Sequence, residues 1–413
     1  MCNKKLMINN ADEAASTVLS QAMIAADQGT FAVGGCIVEN SSGRIIKAMH
    51  NNALKSLSTT GKVFTFDPTA HGERQLVSWY YANKTALALP EPKDLTVVTT
   101  LDPCAMCAGT LLTAGFNVAV VAIDDFAGIN YNQSFLFNDL PSNLQILAKS
   151  KFGYYACGNE DQDPGTYVRK YVGGSNVVFS NSVVSSENLM GCGDIFQSSV
   201  NTVRDNSSDS GLTPDLLANP AKLPDDSLIK TSFRKAYPGA FKLSIPNSRL
   251  PNTDLYDLLV DVKNSVPNAE NSVAFLDPFG NVVLCFADTF EVSPIQTAFM
   301  NVTQSYAKIR HELMDNEEVY KKTEATLTHP KYGTFVFLNA PNPADPATVM
   351  MLGAYGSTLE GSVPQIFPAN LQYYNHPTEG TVEELTSLIM NLPPFYTQLA
   401  QLSIMQTAVS SNE

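Results

Sequence analysis

The chain has 413 residues, with 44% hydrophobic and 16% charged side chains, enough apolar content for a sizeable core spread over two or three domains. Its formal net charge of −14 and pI near 4.8 argue against an enzyme that grips tRNA or DNA, because phosphate neutralisation needs clustered Lys and Arg and no such run is present. The seven cysteines are odd in number and irregularly spaced, which argues against a disulfide framework and for a reduced interior. Behind the start Met1-Cys2-Asn3-Lys4-Lys5 there is no apolar run, so neither a signal peptide nor a membrane span is expected there, and a cytoplasmic location is the default expectation.

Asn10 to Gln28 carries Ala14, Ala15, Val18, Leu19, Ala22, Met23 and Ala26 at helical spacing. Asn10 with Glu13 forms a capping-box pattern, and Gly29 stops the helix. Val33–Glu39 and Arg44–Met49 flank Ser41-Ser42-Gly43, which predicts a β-hairpin.

Next comes the stretch from Thr69 to Gly115. It holds His71-Gly72-Glu73, a helical run from Arg74 to Asn83, a strand over Leu95–Thr100, and then Thr-Leu-Asp-Pro103-Cys104-Ala-Met-Cys107-Ala-Gly. One imidazole and two thiolates can hold Zn²⁺ tetrahedrally and leave a fourth position for water, the arrangement of a catalytic rather than a structural zinc. Such a metal lowers the pKa of its water toward ~7. Cys104 and Cys107 lie three apart, and Pro103 suits a first helical turn, so the thiolates are expected at the positive end of a helix. Glu73 is near the metal without being a ligand, and can shuttle a proton from the water to the ring nitrogen and leaving amine. A C-x-x-C alone is often redox-active or structural. A thioredoxin-type site, however, would not account for His71 and Glu73, and a structural zinc site lacks a nearby fourth ligand.

With these residues in view, the stretch resembles the cytidine and deoxycytidylate deaminase superfamily, on the branch with tRNA adenosine, guanine and fungal-type cytosine deaminases. The resemblance implies a Zn²⁺ cofactor on His71, Cys104 and Cys107, with Glu73 as general acid/base. It also implies a substrate-contacting asparagine at Asn51, within His50-Asn51-Asn52, and a backbone contact at Gly72, where most of that branch has alanine. An acidic residue after the next strand, Asp124 or Asp125, matches the position that reads the purine amino group in guanine deaminases; a solvated turn is the competing reading. The loop from Asn51 to His71 is longer than the resemblance leads one to expect, so a different pocket rim is predicted.

The strand Val118–Ile123 and a helix over Pro141–Lys151 complete an α/β order of elements, a three-layer α-β-α unit with a mixed central sheet, in residues 1–175. Phe126, Tyr131, Phe135 and Phe137 read either as a stacking wall for a base or as core. Residues 176–245 are rich in Ser, Asn, Asp and Pro and are expected to be a connector, loosest over 206–226, with a short helix over Met190–Val203. Residues 246–413 repeat the element order weakly. A helix over Asp254–Val262 precedes Ser272–Ala287, which mirrors Gly35–Ala48. A helical run over Pro294–Ile309, a strand over Gly333–Asn339, a helix over Ala347–Gly356 and closing helices over Glu383–Leu402 follow. On that pairing Ile295 and Thr297 replace His71 and Glu73, and Asp345 and Thr348 replace the cysteines, so this second deaminase-like unit is expected to be metal-free. His311, His329 and His376 are scattered and receive no site role.

The expected activity is hydrolytic deamination of a free nucleobase or nucleoside, of cytosine/cytidine or guanine/adenine type. A tRNA or other nucleic-acid deaminase is the first alternative, and a non-catalytic deaminase-fold binding protein or effector the second. The expected partner is a small base or nucleoside, with nucleic acid disfavoured and no membrane. Members of the superfamily often build an active site from more than one subunit, so a homo-oligomer is compatible, as is a second unit supplying the neighbouring wall within one chain.

Overall fold

The computed structural model describes residues 6–132, 134–158, 167–206, 209, 211–245, 252–358, 371–393 and 404–406. Helix α1 (Ala11–Gln28) starts at Asn10, whose side chain accepts from the Glu13 amide, and ends at Gly29 in the left-handed region at φ 81°. The Glu13 carboxylate reaches back to the amide of Asn9 rather than of Asn10, so the expected box is displaced by one residue. The hairpin β1 (Gly34–Glu39) and β2 (Ile45–His50) follows, and then a second small hairpin, β3 (Leu54–Ser56) and β4 (Val63–Thr65), which fills the long loop before His71. Helix α2 (Gly72–Asn83), strand β5 (Leu95–Leu101), helix α3 (Ala105–Ala114), strand β6 (Asn117–Ala122), helix α4 (Ser142–Lys151) and strand β7 (Phe152–Tyr154) build the alternating part. Strands β8 (Ala156–Gly158), β9 (Tyr167–Arg169), β10 (Val172–Gly173) and β11 (Val183–Val184) are short additions at the edge.

The first sheet has the order β10-β7-β6-β5-β1-β2. Its hairpin and the β1–β5 pair are antiparallel, whereas β5, β6 and β7 are parallel. Parallel strands are covered on both faces, and every residue of β5 and β6 is buried. Val38, Val98, Ala119 and Val121 face α1, while Ile37, Val97, Val118 and Val120 join a core that includes Leu76 and Val77 of α2 and Leu111 of α3.

The stretch 176–245 differs from the loose connector expected. Helix α5 (Ser186–Asn206) has 21 residues and packs on α1, β5 and β6 as part of the first unit's outer helix layer. Helix α6 (Leu228–Ala236) lies on the second unit, with Ile229 and Phe233 buried. Between them Asp209 is buried and holds Arg310 through two hydrogen bonds of 2.8 and 2.9 Å. Serine and asparagine on an outer helix face are compatible with helix once one stripe is covered, and here that stripe is Cys192, Ser199 and Val203.

The second unit contains α7 (Thr253–Asn264), β12 (Ser272–Leu276), β13 (Val282–Ala287), α8 (Ala298–Met314), α9 (Tyr320–Thr326), β14 (Thr334–Asn339), α10 (Pro346–Thr358), β15 (Leu371–Asn375), α11 (Val382–Asn391) and β16 (Ile404–Gln406). Much of the second expected closing helix, 394–402, lies outside the described residues. The sheet order is β13-β12-β14-β15-β16, antiparallel, antiparallel, parallel, parallel, the same senses as β2-β1-β5-β6-β7. Both hairpins even carry a register shift at the same place, between Ile37 and Val38 and between Phe275 and Leu276.

The two units meet through their inner helices. Gly109 of α3 abuts the backbone of Met350, and Gly353 of α10 abuts the backbone of Met106, the same step back in each helix. A reciprocal contact of this kind is what a two-fold relation between helices produces. The β3–β4 insertion adds to the seam: the Ser58 hydroxyl donates to Asp315 at 2.8 Å, Phe66 packs edge-on to His311, and the Arg310 guanidinium lies over Phe64.

Candidate metal centre

Two helix N-termini converge at the carboxyl edge of β5 and β6, where open α/β sheets bind ligands. His71 is the N-cap of α2 and Cys104 the N-cap of α3. Cys104 rather than Pro103 is therefore the boundary residue, and Pro103 lies one position before the cap rather than in the first turn. Cys107 lies within the first turn of α3 and is fully buried. The ligand atoms of His71, Cys104 and Cys107 all lie within 4.8 Å of one another, and Nδ1 of His71 is 3.5 Å from Sγ of Cys104. A tetrahedral ion with Zn–S of ~2.3 Å and Zn–N of ~2.0–2.1 Å holds S and N roughly 3.5 Å apart, so the donor set fits zinc in both type and spacing. The Cys104 thiol is drawn well below its usual range, first by a hydrogen bond from Cys107 and then by His71, against the effect of burial.

Glu73 lies in the first turn of α2 and is buried. Its Oε1 accepts from the Thr99 hydroxyl at 3.0 Å, and its Oε2 has no partner. Burial first, and the negative charge on Cys104 second, raise its pKa above the ordinary carboxylate range. A carboxyl raised in this way beside a metal triad is suited to giving and taking a proton.

Asn51 follows β2 directly and is buried, which fixes it rather than Asn52 as the inward residue. Its Oδ1 accepts from Thr30 Oγ1 at 2.9 Å and the Ala53 amide at 2.8 Å, and its Nδ2 is left without a partner. Asn52 instead donates to Gln75 and the His50 carbonyl. Gly72 is not demanded by space. A Cβ there would lie 3.4 Å or more from its neighbours, the Val33 carbonyl and the Asn51 amide among them, so its backbone can approach a ring without the residue having to be glycine.

Asp124 and Asp125 part company. Asp124 is buried and accepts from the amides of Phe126 and Ala127, so its carboxylate closes its own turn. Asp125 is exposed. Phe137 packs on Phe152 and Phe135 on Tyr154, so these two rings serve the core, while Phe126 is exposed.

Sequence reasoning passed over three contributors. Thr99 anchors Glu73. Asp102 accepts from Tyr154 Oη at 2.6 Å and from the Asn130 amide at 2.7 Å, tying the Pro103–Cys104 loop to the opposite wall. The side-chain amide of Gln304, from α8, lies 2.8 Å from Thr69 Oγ1 and, with its oxygen turned inward, accepts from Arg74 Nη2 at 3.0 Å. Asp102 stood in the quoted motif; the other two carried no signal.

If the two sheets are matched strand for strand, the positions opposite the triad differ from the expected pairing. Thr297 caps α8 where His71 caps α2, which brings Phe299 rather than Thr297 opposite Glu73. Phe337 pairs with Val273 as Thr99 pairs with Gly35, and Phe299 stacks on Phe337 at 5.6 Å. The reciprocal Gly109–Gly353 contact likewise aligns Cys104 and Cys107 with Thr348 and Met351, not with Asp345 and Thr348. None of Thr297, Thr348 and Met351 makes a zinc set.

Residues 9–123 match the model of the cytidine and deoxycytidylate deaminase zinc-binding region. The likeness to this family is confined to that segment, less than a third of the chain. Its cytosine deaminase relative from Candida albicans is 30% identical over 103 residues, which cover 25% of this chain and 59% of the relative. A solved guanine deaminase from Nitrosomonas europaea is 16% identical over 48% of this chain and 88% of its own, with a TM-score of 0.29. A structure of a tRNA:A34 deaminase, which edits A to I at the wobble position, is 22% identical over 29% of this chain and 82% of its own, with a TM-score of 0.23. The fold rests on the strand order above, not on these likenesses. Among the described residues no helix is long and apolar enough to cross a membrane.

Proposed function

We propose that the chain is a hydrolytic deaminase of a free nucleobase or nucleoside, with cytosine-type bases first. The observation that carries this reading is the buried Glu73 carboxyl, with Oε2 unpartnered, beside a His–Cys–Cys triad spaced for zinc. A zinc ion held by His71, Cys104 and Cys107 supplies Lewis acidity and lowers the pKa of water toward ~7. Glu73 Oε2 takes the proton of the attacking water, while Thr99 fixes Oε1. The same carboxyl passes that proton to the ring nitrogen, then carries the remaining proton of the added hydroxyl to the leaving amine, so that water and the amino base yield the carbonyl base and ammonia. Asn51 Nδ2 donates to the ring, with Oδ1 locked by Thr30 and Ala53. The 30% identity to a cytosine deaminase supports a pyrimidine, and the net charge of −14 supports a small substrate over tRNA. Six cysteines among the described residues are free, which suits a reducing compartment such as the cytoplasm.

We also read residues 246–413 as a metal-free deaminase-like copy, on the strength of the matching sheet order. The first unit then extends through α5 to Asn206 rather than ending at residue 175. Ammonia release across a panel of bases, nucleosides and nucleotides tests the activity, with Glu73→Ala as control. Release from RNA alone would overturn the choice of substrate, and no release from any of them by zinc-loaded protein would overturn the activity.

A further inference from the structure

The cleft on which His71 opens is walled by both units. Ala53, Leu54 and Thr65 come from the first, and His329, Ser357 and Thr358 from the second. His329 precedes the turn Pro330–Tyr332 and is 4% exposed. Its Nδ1 accepts from the Lys331 amide at 3.1 Å. A ring nitrogen that accepts from a backbone N–H carries no proton, so in the neutral ring the proton sits on Nε2. That is the only hydrogen bond of the imidazole among the described residues, which leaves Nε2–H open to a ligand in the cleft that the residue lines. The ring cannot easily turn away. A Cβ at Gly211, where φ is +64°, would lie 2.7 Å from His329 Cβ, and the Asp209–Arg310 pair shares a second small cavity with the ring. Burial, with the Arg310 and Lys331 charges working against the Asp209 carboxylate, pushes the imidazole pKa down to about 3, so it stays a neutral donor.

The first unit offers a donor of the same kind, since Asn51 Nδ2 is buried and unpartnered and the Asn51 backbone lies against Gly72. Two unmet donors near a metal triad call for a ligand with acceptors. A nucleobase whose ring carbonyl neighbours the amidine being cleaved supplies them.

We propose that His329 is a specificity residue of the second unit, its Nε2–H binding the ring carbonyl of the substrate base. This rests on the deaminase reading above. The same position in a unit that has lost its own metal ligands would explain why that unit is held so closely against the first.

The test is calorimetric binding of pyrimidin-2-one, which has the ring and the carbonyl without the amine, and of pyrimidine, which lacks the carbonyl. Both are titrated into the zinc-loaded full chain, as wild type, H329L and H329Q, with zinc content measured in each. We expect H329L to bind pyrimidin-2-one about tenfold or more weaker, as follows from leaving a carbonyl unpaired in a buried site, with pyrimidine affinity unchanged. H329Q, which keeps an N–H donor, should stay within about threefold of wild type. Folding of the variants is bypassed by ¹⁵N spectra of the wild-type imidazoles, in which the neutral His329 Nε2 signal should move at saturating pyrimidin-2-one. Equal binding by wild type and H329L, or an unmoved signal with ligand bound, overturns the assignment alone. A zinc-loaded wild type that binds neither ring and releases ammonia from no base overturns the deaminase reading and this assignment with it.

Discussion

Substituting Gly353 by alanine should damage a metal centre in the other half of the chain. A Cβ on Gly353 would lie 2.7 Å from Met106 Cα and 2.8 Å from the Ala105 carbonyl carbon, and would overlap the Met106 amide. Carbon atoms settle at ~3.5–4.0 Å, so α3 and α10 must part by roughly 1 Å. The peptides being pushed are those between Cys104 and Cys107. Metal–ligand distances tolerate only about ±0.2 Å, so the strain falls on the triad. Overpacking costs roughly 1–3 kcal/mol, offset in part by the ~0.5–1 kcal/mol that alanine gains over glycine inside a helix. We expect a lower melting temperature and zinc affinity reduced about tenfold or more, the usual scale for disturbed ligand support. Gly193 in α5 is the control, because a Cβ there meets nothing within 4 Å, so G193A should stabilise by ~0.5–1 kcal/mol and leave zinc binding untouched. Chelator competition and thermal melts read both quantities. If G353A kept wild-type melting and wild-type zinc affinity, the close helix seam and the support it gives the ligands would both be refuted.

Other perturbations follow from the same geometry. Glu73→Gln keeps shape and removes the proton shuttle; turnover should fall by about 10²–10⁴-fold with zinc content unchanged, and a fall confined to KM would contradict the role. Asp209→Ala leaves Arg310 charged and unpaired among buried groups, since the two side chains are 2% and 7% exposed. It should cost ~3–5 kcal/mol in denaturant melts, whereas D209A with R310M should recover much of that. A double variant as unstable as the single would argue against the pair. One part of the pH dependence of stability belongs to His329. Its folded pKa of about 3 lies below the usual ~6.5, so the folded state binds fewer protons between these values and stability falls as pH drops through that window. At pH 5 the loss is about 2 kcal/mol. Asp277 and Asp288, both raised to about 6, work in the opposite sense, favouring the fold as pH drops from 6 toward 4. The difference between wild type and H329Q therefore isolates the histidine, and parallel stability curves for the two would refute it.

The triad and Glu73 were legible because coordination chemistry restricts both residue type and spacing. A His–Cys–Cys zinc set tolerates few exchanges, and the helix and strand between His71 and Cys104 are strongly patterned. The inner strands of both sheets were legible for a similar reason, since β5 and β14 are runs rich in β-branched and apolar residues, whereas the short strands β7, β10, β15 and β16 were not read. Helix α5 was read only as a short helix over Met190–Val203 inside a connector, because its outer face is serine, asparagine and aspartate, and its burial depends on α1, which lies far off in sequence. The register of the second unit was misread because no metal pins it. Without a ligand to anchor the comparison, motif order pointed to Ile295 and Thr297, whereas the helix cap and the Phe299–Phe337 stack point two residues further on. His329 was illegible in principle, as its importance comes from a cleft closed by segments distant in sequence.

The two cores pose one packing problem and answer it differently. At one position between an inner helix and the central strand, the first unit has Glu73 against Thr99, and the second has Phe299 against Phe337. A buried carboxylate with one oxygen unmet costs folding free energy, on the order of 1–3 kcal/mol for the unpaired oxygen alone. A stacked aromatic pair stabilises instead, by about 0.5–1.5 kcal/mol beyond its burial. The second unit takes the stabilising option, and Phe335 and Tyr355 extend the same aromatic cluster. The cost of an unmet buried carboxylate oxygen is what the proposed proton shuttle would account for, and the close seam of α3 with α10 sets the aromatic-filled unit directly behind the Cys104–Cys107 turn.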